Sequence, residues 1–229
     1  MNKAYYLTIC ECVCLLLQGK AEGLKIFDEI SAYLPSEKEM AEAVMSLNNG
    51  ELIHAEDGHY KPNSQVREFL EILGNTDSTY VINGHLSACA MECIYLYNGR
   101  GVSLRMDEHR KNYVRIEIED LEEIVENLSE NEFMPNLQDS LGKNNDISNA
   151  SGPVLSFRER SLQELLKKHS VYMIIDRYKR YDGDVSKRFV IASENGLDFF
   201  VACYGNESAF GSNGTLRPYQ KGILFEVFG

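Results

Sequence analysis

The sequence predicts an α+β fold, and three observations carry that reading. A helix followed by four short strands is written twice, from Asn63 to about Glu119 and again from Phe157 to Gly229. Helices and a short hairpin precede the first copy, in the order of a winged-helix unit. Residues 138–152, QDSLGKNNDISNASG, have the composition of a flexible linker and divide the halves. The expected organisation is an N-terminal half over 1–137, made of a winged-helix-like start (1–62) and a first helix-plus-sheet unit (63–137). The linker follows, and a second helix-plus-sheet unit occupies 153–229. Helices would lie on one side of one antiparallel sheet, or of two joined about a pseudo-twofold.

The opening segment reads as a helix. Tyr6, Ile9, Cys10, Val13, Leu16 and Leu17 recur at helical steps, Thr8, Glu11 and Gln18 lie opposite, and Gly19 ends it. A second helix starts after Pro35, where Ser36 and Glu39 have capping-box spacing. Met40, Val44 and Leu47 form its apolar stripe and Gly50 stops it. Leu52 and Ile53 then lead into a hairpin with Asp57-Gly58 at the turn, leaving through Tyr60 to Pro62.

The first copy of the repeat opens with Val66, Phe69, Leu70 and Leu73 on one helix face, closed by Gly74. Tyr80 to Ile82 reads as a strand. Cys89 to Tyr97 and Val102 to Asp107 flank Asn98-Gly99-Arg100-Gly101, a hairpin signal. Val114, Ile116 and Ile118 alternate with Arg115, Glu117 and Glu119, as in a strand with one solvated face. A helix from Asp120 turns Leu121, Ile124, Val125 and Leu128 inward.

The second copy opens with Ser156 and Glu159, again in capping-box spacing, ahead of Leu162, Leu165 and Leu166. Val171 to Asp176 reads as a strand. Phe189 to Ala192 pairs with Leu197 to Cys203 across Glu194-Asn195-Gly196. A Gly-, Ser- and Asn-rich loop, Gly205 to Gly214, leads toward a last strand at Ile223 to Val227.

Composition excludes several function classes. The net charge is −12, with residues 1–83 holding 6 basic against 13 acidic side chains and residues 84–137 holding 5 against 11. Such an acidic field repels phosphate, so nucleic acid and anionic membrane surfaces are poor partners. The winged-helix-like start agrees: Glu37, Glu39 and Glu42 outnumber Lys38 on the helix that would enter a major groove. The apolar run near the start is too short to span a bilayer, contains Glu11, and is followed by no small-x-small cleavage site. With its cysteines placed as reduced packing thiols, the chain reads as cytoplasmic.

The search for chemistry ends without a catalytic, cofactor or metal site. Cys10 and Cys14 share a helix face while Cys12 turns away, which packs a core better than it binds zinc. Cys89 and Cys93 share a strand face with Met91. No two histidines have metal-ligand spacing; His54 and His59 flank a turn and could face one another across it. The glycines match neither a Walker loop nor a dinucleotide fingerprint, and no GxSxG elbow is present. Arg177, Lys179, Arg180, Lys187 and Arg188 make one basic patch, read as a solvated strand end or an acceptor for an acidic partner. The aromatic content stands out instead. Phe199, Phe200 and Tyr204, with Phe210 in the neighbouring loop, are the candidate partner-binding residues, because a strand apolar on both faces is either covered twice or presents one face to a partner.

The run MSLNNGELIHAEDGHYKPNSQVREFLEIL from Met45 to Leu73, the FMPNL segment ending at Leu137 and the strands after the linker together resemble the EspG-type chaperones of type VII secretion systems. That resemblance covers most of the chain and is architectural. It implies a cytosolic, non-enzymatic protein that binds a helical secretion substrate and keeps it soluble before export, with no cofactor and no catalytic residue. The expected function is therefore a protein-binding scaffold. A winged-helix transcriptional regulator is the first alternative, and an enzyme or ligand-binding protein with a site between the halves is the second.

Overall fold

Where the sequence suggests one opening helix carrying Tyr6 to Leu17, the chain makes a strand and then a helix. Tyr5–Thr8 forms β1, and Ile9–Gln18 forms α1. The reason is tertiary: β1 pairs antiparallel with Tyr113–Asp120 (β7), Tyr5 opposite Ile116 and Leu7 opposite Val114. Thr8 then caps α1 in a full capping box with Glu11, which fixes the helix start inside the expected one. The inward face is rotated as well. Ile9, Glu11, Cys12, Cys14 and Leu15 are buried, whereas Leu17 is 71% exposed. Cys12, expected to turn away, is fully buried.

This computed structural model describes residues 4–84, 91–107, 109–130, 155–157, 170–194, 198–205, 214–218 and 222–229. It is a mixed α+β fold with helices and a large antiparallel sheet, in two compact units: Met1–Thr79 with Glu92–Asp120, and Tyr80–Met91 with Leu121–Gly229.

In the first unit a short helix absent from the sequence reading, α2 (Asp28–Ser31), precedes α3 (Glu37–Asn49). Ser36 and Glu39 make the expected capping box at the start of α3. The hairpin follows as β2 (Ile53–Glu56) and β3 (His59–Pro62), turned by Asp57 and Gly58 at positive φ. Its register sets His54 opposite Lys61 and His59 opposite Glu56, so the two histidines are not directly paired. Helix α4 (Ser64–Asn75) is capped by Asn63 and buries Val66, Phe69, Ile72 and Leu73.

Strands β5 (Glu92–Tyr97), β6 (Arg100–Met106) and β7 continue the unit in the order β1-β7-β6-β5. Tyr97 opposes Arg100, so Asn98 and Gly99 alone make the turn, both at positive φ. The pleat gives this sheet two different faces. Tyr95, Val102, Leu104, Val114 and Ile116 share one face and are buried. The other carries a row of charge, in which Glu92 opposes Arg105 and Arg105 opposes Arg115. Glu92 is only 4% exposed and lies 3.0 Å from Arg105 Nε, while Arg115 Nη2 lies 2.7 Å from Glu117.

The second unit begins in β4 (Ser78–Gly84), with Tyr80, Val81 and Ile82 all buried, and runs into α5 (Leu121–Glu130). Its remaining strands are β8 (Leu155–Phe157), β9 (Ser170–Lys179), β10 (Val185–Glu194), β11 (Asp198–Gly205) and β12 (Gly214–Pro218), ordered β4-β9-β10-β11-β12-β8. The β10–β11 pairing matches the expected hairpin. Two expectations are corrected. Ser156 and Phe157 lie in a strand paired with β12 and do not open a helix. Ile223–Phe228 is a helix, α6, in place of the expected last strand, and the fourth strand of this copy is β12. Leu224, Val227 and Phe228 are spaced for one helix face, and all three are buried while Phe225 and Glu226 point outward. Tyr80 fixes this helix, its ring edge-on to Phe228 at 5.0 Å and its hydroxyl donating to the Phe228 carbonyl at 3.2 Å. The linker 138–152, residues 158–169, Cys89 and the FMPNL segment lie outside the described residues.

Candidate functional site

Two helix starts and one turn of the first unit enclose an open cleft of about 740 Å³. The first wall is the beginning of α1. Glu11 accepts hydrogen bonds from the Thr8 amide at 2.7 Å and the Thr8 hydroxyl at 2.9 Å, both with the same carboxylate oxygen. The second wall is α3. Glu39 accepts from the Ser36 amide at 2.8 Å and hydroxyl at 2.6 Å, and from the Tyr33 hydroxyl at 3.1 Å. Both glutamates line the cleft, so the acids that cap the two helices also face the same space.

The far wall is the β6–β7 turn. Asp107 accepts from the amides of His109 at 2.8 Å and Arg110 at 2.9 Å, which shapes the turn. The Ile9 amide donates to the Asn112 carbonyl at 2.9 Å and ties the turn to the start of α1. Lys111 and Tyr113 then face the cleft beside Met106. Just outside, the Arg110 guanidinium lies over two rings, 4.8 Å from that of Tyr6 and 5.7 Å from that of Tyr113.

The electrostatics are one-sided. Among the described residues four carboxylates (Glu11, Glu29, Glu39 and Glu42) line the cleft against a single lysine, Lys111. The Ser36 hydroxyl and amide and the Tyr33 hydroxyl hold the Glu39 carboxyl below the usual carboxylate range, and the same bond pushes Tyr33 up. Cys10 reaches the cleft edge, donating its thiol to the Glu39 carbonyl at 3.4 Å. Burial and neighbouring carboxylates push its thiol up, and burial first of all pushes Cys14 to about 11 and Cys12 to about 12. Thiols of this kind stay protonated near neutral pH and are poor nucleophiles. Among the described residues, no three His, Cys, Asp or Glu side chains gather as metal ligands. What the residues build here is a shaped, acidic concavity.

No family model matches this chain, and no curated protein matches it.

The sequence placed its partner-binding residues elsewhere. Phe199, Phe200 and Tyr204 lie on β11, opposite Ser193, Ala192 and Arg188 of β10, and Phe210 lies outside the described residues. Strand β11 is paired on both sides, by β10 and β12. On β10 itself Phe189, Val190, Ile191 and Ala192 are all buried, so that strand is covered on both faces. The basic patch is corrected in one member. Arg188 is not a solvated strand end; it forms a two-point ion pair with Asp176, which is 4% exposed. The acidic cleft was missed. Its unread local signal was Thr8-x-x-Glu11, a capping-box pattern inside what read as continuous helix.

Among the described residues no helix is long and apolar enough to cross a membrane.

Proposed function

We propose that this chain is a cytoplasmic, non-enzymatic protein-binding scaffold with a chaperone-like role toward a helical partner. The observation that carries the reading is the cleft, two of whose walls begin at capped helix starts. Preformed walls lower the ordering cost of binding. The resemblance to EspG-type chaperones belongs to the same proposal, as do its finer parts: a winged-helix-like unit over α1 to β3, and two helix-plus-sheet halves related by a pseudo-twofold. Phe199, Phe200, Tyr204 and Phe210 stay in the proposal as a second contact surface. A photocrosslinking residue at Ser46, on the cleft wall, tests the reading in native cytosol. The expected result is one discrete polypeptide adduct that also copurifies with the unmodified protein. Turnover of a small molecule with no polypeptide adduct would overturn it.

The order α1, α2, α3, β2, β3 favours a winged-helix regulator as the second reading. Against it, Lys38 is 3.6 Å from Glu42 and Lys61 is 2.9 Å from Glu56, so two of its few cations already face acids. A DNA mobility shift that persists above physiological salt would move this reading to first place.

A further inference from the structure

We infer that the cleft between α1, α3 and the β6–β7 turn takes a basic amphipathic segment of a partner polypeptide, its lysine or arginine heads at the carboxylate rim and their stems along the apolar floor. The inference rests on the protein-binding reading and names the chemistry of the partner.

Shape and lining decide the occupant together. A cleft of about 740 Å³ accommodates several side chains. Its floor includes Ile9, Ala43 and Met106, against which the methylene stem of a lysine or arginine packs while the charge stays at the rim. The rim carries net negative charge from four glutamates and one lysine, which rejects phosphates, nucleic acid and acidic peptides.

The rim carboxylates divide into two fixed and two adaptable. Glu11, largely buried, accepts its helix-capping bonds through one oxygen. Glu39 is clamped by Ser36 and Tyr33. Among the described residues Glu29 has no ion pair, and Glu42 has an exposed contact with Lys38 at 3.6 Å. A surface with two hydrogen-bonded and two exposed carboxylates can receive cations at more than one spacing. The protein's own Arg110 shows that the adjoining surface accepts a guanidinium, which sits over Tyr6 and Tyr113, and Tyr113 also lines the cleft. A small polyamine would satisfy the carboxylates but leave the floor uncovered, so a polypeptide fits better.

The test is fluorescence anisotropy of the full chain with a labelled twelve-residue helical peptide of lysine and leucine, alongside its glutamate–leucine counterpart. The basic peptide should bind and weaken steeply with salt, and the acidic one should not bind. Glu29→Gln/Glu42→Gln removes charge where neither residue caps a helix, and should weaken binding about tenfold, as expected for two partly exposed charge pairs. Glu71→Gln/Asp77→Asn removes the same charge from exposed positions outside the cleft and should leave affinity within about twofold. Equal loss in both double variants would overturn the inference in favour of a diffuse acidic field. Displacement of the peptide by stoichiometric spermine would overturn it in favour of a small-cation site. If the Ser46 adduct persists unchanged in Glu29→Gln/Glu42→Gln, this inference falls while the scaffold reading stands.

Discussion

Replacing Arg188 with methionine isolates the cost of a buried charge in this fold. Arg188 on β10 and Asp176 on β9 are directly opposed in register, and both guanidinium nitrogens that face the acid reach its two oxygens, Nη2 to Oδ2 at 2.6 Å. The side chains of Arg188 and Asp176 are 22% and 5% exposed, so solvent screens little of the pair. Methionine keeps most of the packing volume but leaves Asp176 without its guanidinium partner. Loss of one partner from a buried ion pair costs about 3–5 kcal/mol. In a chain of this length about 1 kcal/mol corresponds to about 2–4 °C in melting temperature, so a fall of roughly 6–20 °C is expected. Removing both charges with Asp176→Leu/Arg188→Met should recover most of that loss, because two apolar groups of similar volume leave no charge behind. Urea unfolding followed by far-UV circular dichroism reads both variants through their midpoints. A single variant within about 1 kcal/mol of the parent would refute the reasoning, since the charge would then not be buried as described. So would a double variant as unstable as the single one.

Three further outcomes are expected. Tyr80→Phe removes the hydroxyl that donates to Phe228 and should cost about 1 kcal/mol, with faster amide exchange across Ile223–Phe228; unchanged exchange there would count against the contact. Gly99→Ala puts a side chain at φ +74°, where the cost is about 1–2 kcal/mol of backbone strain, since nothing lies within 4 Å of the new methyl group. The same change at Gly183, equally open and without a positive φ, should be neutral or slightly stabilising in the same melting assay. Finally, burial pushes the Glu92 carboxyl above the usual carboxylate range, against the pull of Arg105 and Ser103. The folded state then keeps that proton to higher pH than the unfolded chain, so Glu92 subtracts stability as pH rises from the ordinary glutamate value through the raised one. Glu92→Gln should flatten the urea midpoint over that window; a slope equal to the parent's would refute the assignment.

Much of this fold was legible because its signals are local. Ser36 and Glu39 cap α3 as their spacing requires, Asn98-Gly99 closes a two-residue hairpin, and the alternation over Tyr113–Asp120 matches a strand with an apolar and a charged face. The misses occur where a distant partner decides. Tyr5–Thr8 is a strand because β7 is available to pair with it, and four residues cannot declare that on their own. The apolar run Ile223–Phe228 suits a strand by composition, but the buried trio of Leu224, Val227 and Phe228 has helical spacing. A run of six residues leaves that choice to packing. The cleft was not visible for a related reason. Its walls come from α1, α3 and a turn near residue 110, and only the fold brings Glu11 and Glu39 to the same space.

The pairing of β1 with β7 also bears on how the chain is made. A ribosome adding about 5–20 residues per second leaves Tyr5–Thr8 without its partner for roughly 5–20 s, until Tyr113–Asp120 emerges. During that interval β1 lacks its strand partner, and the Asn112 carbonyl that receives the Ile9 amide does not yet exist. The start of α1, and with it one wall of the cleft, is therefore among the last features of the first unit to be set during synthesis. A nascent chain halted before residue 107 would carry the α3 wall without the β6–β7 turn that faces it.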